Sequence, residues 1–284
     1  MKLILVLGIW NYNLDTDDDE IKHKIEDIWI DSLKEGLKIA KLDSQKLNSV
    51  DIELVYFGDL YRKFDTFIAD SSDELEAQML AEEIACEIDK DQVDLAKSKV
   101  QIMGPGNQFL KELVKIIQGK FPFIDSSILK IFCQETDLYF NNKKYYNLGR
   151  EIFFSALKRA SKKKQKIVVV GHSQESVISY DLLVNSNEYP VNKLITLGLP
   201  LAIKNFNKIL KSRHEIEMPK SIKDGKWFNT VGIEDFVSLY PLNGSIFRTS
   251  PTITNIPVQI YDHSPHDIRS YLSNPIVASE IYMS

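Results

Sequence analysis

The chain has 284 residues, 44% of them hydrophobic and 26% charged, with a formal net charge of −5. That apolar share supports a substantial core and excludes wholesale disorder, and the acidic balance gives no support for a nucleic-acid binder, which would show a basic domain. Two cysteines, Cys86 and Cys133, make no disulfide scaffold; they read as buried thiols in a reducing compartment, and no Cys/His spacing suggests zinc.

The opening MKLILVLG has an apolar run too short for a signal peptide, and an acidic cluster at 15–20 stands where a cleavage site would be. Residues 3–7 therefore read as a strand buried on both faces, with Gly8-Ile9-Trp10 opening a loop. The acidic cluster lacks the alternating ligands and central glycine of a calcium loop, and reads as a solvated loop and helix start. Over 25–42, Ile25, Ile28, Trp29, Leu33 and Leu37 recur at helical spacing, so an amphipathic helix covers one sheet face. A second strand follows at 52–57 (IELVYF), which completes a βαβ start.

From Gly58 to Ala160 the pattern stays helical. Helices are expected at 75–88, 109–117, 124–140 and 145–160, broken by Gly104-Pro105-Gly106, Gly119 and Phe121-Pro122. No repeat or low-complexity linker intervenes, so the chain reads as one domain over 1–284, with 60–145 as a helical cap or insert. Plain helices packed on the sheet are the alternative for that stretch. Lys162-Lys163-Lys164 reads as a solvated helix end, where cations complement the helix dipole. No stretch approaches the length needed to span a bilayer. A soluble, cytoplasmic protein is expected, without nucleic-acid partners or stable membrane insertion; nothing in the sequence marks an oligomeric state.

Residues 166–179 (KIVVVGHSQESVIS) carry the chemistry. An apolar strand, Ile167-Val168-Val169-Val170, runs into a tight turn with Ser173 at its apex, and a helical pattern starts at once. Such a turn aims the serine out of the sheet edge and places unpaired helix N–H groups beside its hydroxyl. A hydroxyl held there can attack a carbonyl, and the next backbone N–H can receive the oxyanion. GHSQES resembles the GHSxGS elbow of lipases and esterases in the α/β-hydrolase superfamily: Gly171, His172, Ser173 and Ser176 match, and Glu175 replaces a glycine. The larger side chain needs room, for which Gly198 is the candidate small residue opposite.

The resemblance extends along the chain. A strand at 193–198 leads into TLGLPL, similar to a TLGSPL segment with Leu199 in place of serine. A strand at 227–231 (WFNTV) precedes Gly232-Ile233-Glu234-Asp235-Phe236-Val237, and a last short strand at 257–261 precedes Asp262-His263-Ser264-Pro265-His266. PHDIRSYL resembles the PHSxxxYL-type ending of the same branch, and residues 267–283 read as mostly helix, interrupted at Pro275. Serine, acid, histidine is the triad order of these hydrolases.

The resemblance thus implies an α/β-hydrolase fold: a mainly parallel sheet with helices on both faces. It implies Ser173 as nucleophile, His266 as base with His263 as second choice, and Asp235 as the orienting acid. Glu234 is expected to point away and Asp267 to serve a helix N-terminus. The N–H groups of Gln174 and Ile9 are the implied oxyanion donors, with Trp10 less favoured. Trp10, His172 and Leu199 are pocket candidates, and His172 packs or lines that pocket. His23 and His214 lie in polar contexts and are expected to face solvent. The implied activity is hydrolysis of a carboxylic ester, small or lipid, through an acyl-enzyme, with no metal and no organic cofactor. A thioesterase or amidase on the same triad is one alternative, and a catalytically degenerate scaffold for binding or signalling is the other. An inward Glu175 carboxylate would oppose charge developing on an oxyanion, whereas an outward one would occupy a polar pocket beside the helix. Glu175→Gly is expected to keep the fold and to keep or raise ester turnover, measured by thermal melting beside an ester assay; a collapse of stability would make the glutamate structural.

Overall fold

The computed structural model describes residues 1–7, 18–65, 72–103, 108–120, 126–235, 237–238, 240–244, 247–260 and 266–284. They fall into two compact units, Met1–Arg62 with Lys144–Ser284, and Lys63–Lys143.

The first unit is built on a six-stranded, all-parallel sheet in the order β2-β1-β3-β4-β5-β6. The strands are β1 (Lys2–Leu7), β2 (Asp51–Tyr56), β3 (Ile167–His172), β4 (Lys193–Leu197), β5 (Trp227–Gly232) and β6 (Thr254–Val258). Its helices in chain order begin with α1 (Asp18–Ile39) and α2 (Gly58–Asp65), the latter running into the second unit. That second unit holds α3 (Ser72–Met103), α4 (Gln108–Lys120) and α5 (Ser126–Asn141). The chain returns to the first unit through α6 (Lys143–Lys162), α7 (Gln174–Val184), α8 (Lys204–Arg213), α9 (Ile268–Leu272) and α10 (Pro275–Tyr282).

Strands β1, β3 and β4 are buried along their whole length, as their unbroken apolar runs require of central parallel strands. Leu3, Leu5, Leu7, Val168, Val170, Ile195 and Leu197 share one core with Trp29, Leu33 and Leu37 of α1, Tyr271 and Leu272 of α9, and Val277 and Ile281 of α10. The alternate residues Ile4, Val6, Val169 and Leu194 are equally buried, and α7 packs on β3 and β1. Because all six strands run the same way, their carboxyl ends share one edge, where ligands collect in such sheets.

The chain departs from its sequence pattern at several places. The helix expected at 75–88 continues to Met103 through a break at Asp89 (φ −156°, ψ 93°). Asp89 accepts from the Gln92 N–H at 3.0 Å and starts the second half as a cap would. Lys97 pairs with Glu82 at 2.5 Å. Fifteen residues of straight helix would hold those two about 22 Å apart, so the two halves fold back on each other. Strand β6 begins at Thr254 rather than at Pro257, and as an edge strand it tolerates that proline. Pro275 opens α10 behind an Asn274 cap instead of interrupting a helix. Cys133 is buried, but Cys86 is only partly so. No described helix is long and apolar enough to cross a membrane.

Gly36 of α1 lies where α9 and α10 meet it. A Cβ there would collide with the Leu272 carbonyl oxygen and come within 2.7 Å of the Ala278 Cβ. Gly36→Ala is therefore expected to destabilise the protein by about 1–3 kcal/mol, read from urea unfolding midpoints.

Candidate active site

Strand β3 delivers Ser173 to the shared edge. The turn is tight: a Cβ on Gly171 would lie 2.9 Å from the Ser176 Cα, so only glycine lets α7 start this close. Ser173 itself adopts φ 56°, ψ −131°, a region that side-chain-bearing residues avoid at roughly 1–3 kcal/mol. Its N–H donates to the Leu197 carbonyl at 2.8 Å, which ties the turn to the end of β4. The first N–H groups of a helix lack acceptors inside it, and Gln174 opens α7 directly behind Ser173.

Two other loops meet this serine. The turn after β5 brings Asp235, with its N–H donating to the Gly232 carbonyl at 3.0 Å. The segment before α9 brings His266. His266 Nε2 lies 2.8 Å from Ser173 Oγ, and His266 Nδ1 lies 2.8 Å from Asp235 Oδ2. A carboxylate can only accept, so the Nδ1 proton points at Asp235, and Nε2 faces the serine hydroxyl. The three side chains are 1%, 4% and 0% exposed in the order Ser173, His266, Asp235, so water screens their interactions little.

Asp235 is held by more than the imidazole. Its Oδ1 accepts from the Val237 N–H at 2.9 Å. Its Oδ2 also accepts from the Tyr271 hydroxyl, with Ser238 Oγ 3.3 Å away. Burial pushes this carboxyl up. The His266 charge and the hydrogen bonds from His266, Tyr271 and Val237 outweigh that, leaving it below the usual aspartate value.

His172 stands behind His266. Its Nε2 lies 3.0 Å from the His266 carbonyl oxygen, so that nitrogen carries the proton and donates. The two rings pack with centroids 4.9 Å apart. Burial first, and the neighbouring His266 second, push His172 down to about 3, which keeps it neutral. It therefore packs against the His266 ring. Leu199 is buried too and leads into the turn Pro200–Ala202.

Gly198, the candidate small residue opposite Glu175, has the acid–imidazole pair as its nearest neighbours. It adopts φ +62°, and a Cβ there would lie 3.1 Å from both Asp235 Oδ2 and His266 Cε1. The glycine makes room for the acid–imidazole pair. Glu175 is buried in the first turn of α7, where the helix dipole favours a carboxylate. Glu234 is exposed, and Asp267 caps α9 by accepting from the Arg269 N–H. Ile9, Trp10 and His263 lie outside the described residues.

His214 is not the solvent-facing histidine its neighbours in sequence suggest. It ends α8 with its ring largely buried, Nε2 2.9 Å from Oδ1 of the fully buried Asp181 in α7. The two residues are 33 positions apart, so nothing local signals the pair. Tyr271 and Ser238 were also hidden: one reads as a core aromatic in a helix, the other as an ordinary loop serine. Among the described residues, no group of three or more His, Cys, Asp or Glu side chains could hold a metal ion.

His172 and His214 should leave opposite marks on stability. Unfolded, His172 binds a proton as pH falls below 6.5, but folded it resists protonation down to about 3. Stability is therefore lost as pH falls through that window. His214 is raised above its ordinary value, because hydrogen bonds to Asp181 and the Glu215 carbonyl outweigh burial. Its contribution is complete at low pH and fades as pH rises through its folded value. Urea unfolding is expected to show a flatter acid-side decline in His172→Phe, and a larger loss in His214→Asn at pH about 5.5 than at about 8.5.

Comparison of the chain with protein-family models, with curated proteins and with solved structures gave no match.

Proposed function

We propose that the protein is a serine hydrolase of the α/β-hydrolase fold that cleaves a carboxylic ester through an acyl-enzyme. The observation that carries this is the unbroken chain from Ser173 Oγ to His266 Nε2 and from His266 Nδ1 to Asp235, each link 2.8 Å long. The strained backbone of Ser173 between a buried strand and a helix supports it, because that turn is the setting of a nucleophilic serine in such folds.

In this reading Ser173 Oγ attacks the ester carbonyl while its proton passes to His266 Nε2. Asp235 stabilises the imidazolium that forms. The negative charge on the former carbonyl oxygen is met by the Gln174 N–H at the positive end of α7. Collapse of the tetrahedral intermediate breaks the bond to the alcohol, which leaves with the proton from His266. Water then attacks the acyl-serine, giving its proton to His266 and releasing the carboxylic acid and a restored serine. Thioesters and amides would use the same residues in the same order.

One observation favours a second reading. Glu175, two residues beyond the nucleophile, is buried, and in its ionised form it opposes negative charge developing near the elbow. On that ground a catalytically degenerate scaffold that binds without turnover is the competing proposal.

A fluorophosphonate probe separates the two. The hydrolase is expected to be labelled at Ser173, and Ser173→Ala to lose the label together with at least about 10³-fold of its turnover on p-nitrophenyl esters. A folded wild-type chain that takes no label and cleaves no ester, thioester or amide would favour the binding scaffold.

A further inference from the structure

The Asp235 carboxylate accepts a hydrogen bond that the reaction sequence above does not use. Tyr271, one turn into α9, is fully buried and aims its hydroxyl at Oδ2, the same oxygen that receives the His266 Nδ1 proton. The phenol is placed there by its surroundings. Ser238 Oγ lies 3.0 Å from the Tyr271 oxygen and accepts from the Gly232 N–H at 3.0 Å. A Cβ on Gly232 would come within 2.5 Å of the Tyr271 oxygen and 2.8 Å of the Asp235 Cβ. The end of β5 thus leaves a slot shaped for a phenol tip against a carboxylate. A phenylalanine would fill most of that slot, so the hydroxyl itself needs an explanation beyond packing.

We propose that Tyr271 is a positioning residue that sets the strength of His266 as a base by sharing the Asp235 carboxylate with it. For its effect on turnover this rests on the hydrolase reading. The physical reason is competition for one oxygen. An imidazolium at His266 is stabilised by the negative charge on Oδ2. A second donor on that oxygen draws charge toward itself and so weakens the pull on the ring. It also fixes the plane of the carboxylate, which keeps Oδ2 facing Nδ1. Burial, the Asp235 charge and the bond to it hold the phenol far above its ordinary value, so Tyr271 remains a donor throughout the working range.

The other groups around the imidazole leave this role open. His172, from the end of β3, stays neutral and meets the His266 backbone carbonyl. Asp267, at the start of α9, is tied to Arg269. Ser173 occupies Nε2. Among the described residues, Asp235 is the carboxylate bonded to the ring, and Tyr271 is the side chain that tempers its charge.

The test uses the full-length chain with Tyr271→Phe and, separately, 3-fluorotyrosine placed at position 271 by amber suppression. Two readouts are taken: the pH profile of kcat/KM on p-nitrophenyl acetate, and the NMR titration of the His266 ring, assigned with His266→Gln. In Tyr271→Phe the acid limb and the ring titration are expected to move to higher pH by about 0.5–1 unit, with kcat reduced and KM unchanged. The more acidic fluorophenol donates more strongly and is expected to move both the other way. A folded Tyr271→Phe whose limb and titration stay at the wild-type position overturns the proposal, as do shifts of the same sign in both proteins. If Tyr271→Phe does not fold, the fluorotyrosine protein decides by the same criterion. If the wild type turns over no ester, the hydrolase reading falls while the ring titration still decides the coupling.

Discussion

One imidazole holds this site together. His266 contacts a serine from the turn after β3 on one side and a carboxylate from the turn after β5 on the other. Those partners lie 93 and 31 residues from it in the chain. They can meet only because parallel strands end at a common edge. A ring with two nitrogens, flanked by one group that must accept and one that can donate, settles its own tautomer. The chemistry of the site, in whatever use it has, follows from that orientation.

The contacts around the ring are there to keep it still. His172 holds the backbone carbonyl of His266 and lies against its face. Gly198 gives up a side chain so that Asp235 and His266 can approach. Tyr271 and the Val237 N–H hold the carboxylate from two further directions. Every polar group named here is buried, so each bond stands in a medium where losing it is expensive. Such a cluster tolerates little local adjustment, which is the condition for a preorganised centre.

The sequence makes the frame of this arrangement legible and hides its details. Strands β1, β3 and β4 could be read because burial on both faces leaves unbroken apolar runs. Ser173, Asp235 and His266 could be picked because they sit in segments that resemble hydrolase motifs and follow expected strands, and the structure brings them together. The approach of Asp235 and His266 to Gly198 was not foreseen, since a glycine shows that space is needed without showing by whom. The burial of His214 was missed because Asp181 is distant in sequence. The helix expected at 75–88 stops at the break, and what stayed hidden is the second half that runs on to Met103, because its acidic and basic residues show no clear apolar stripe. Tyr271 carries no pattern that separates a hydroxyl in use from an aromatic ring in a core.

The backbone at Ser173 bears on how this position changes over generations. At φ 56° every residue with a side chain is strained, and glycine alone is at ease. Proteins sit near the threshold of stability, so replacements that relieve strain are easily accepted wherever nothing is lost by them. Drift left to itself would carry this codon toward glycine. Selection for its oxygen is what would hold a serine there against that drift.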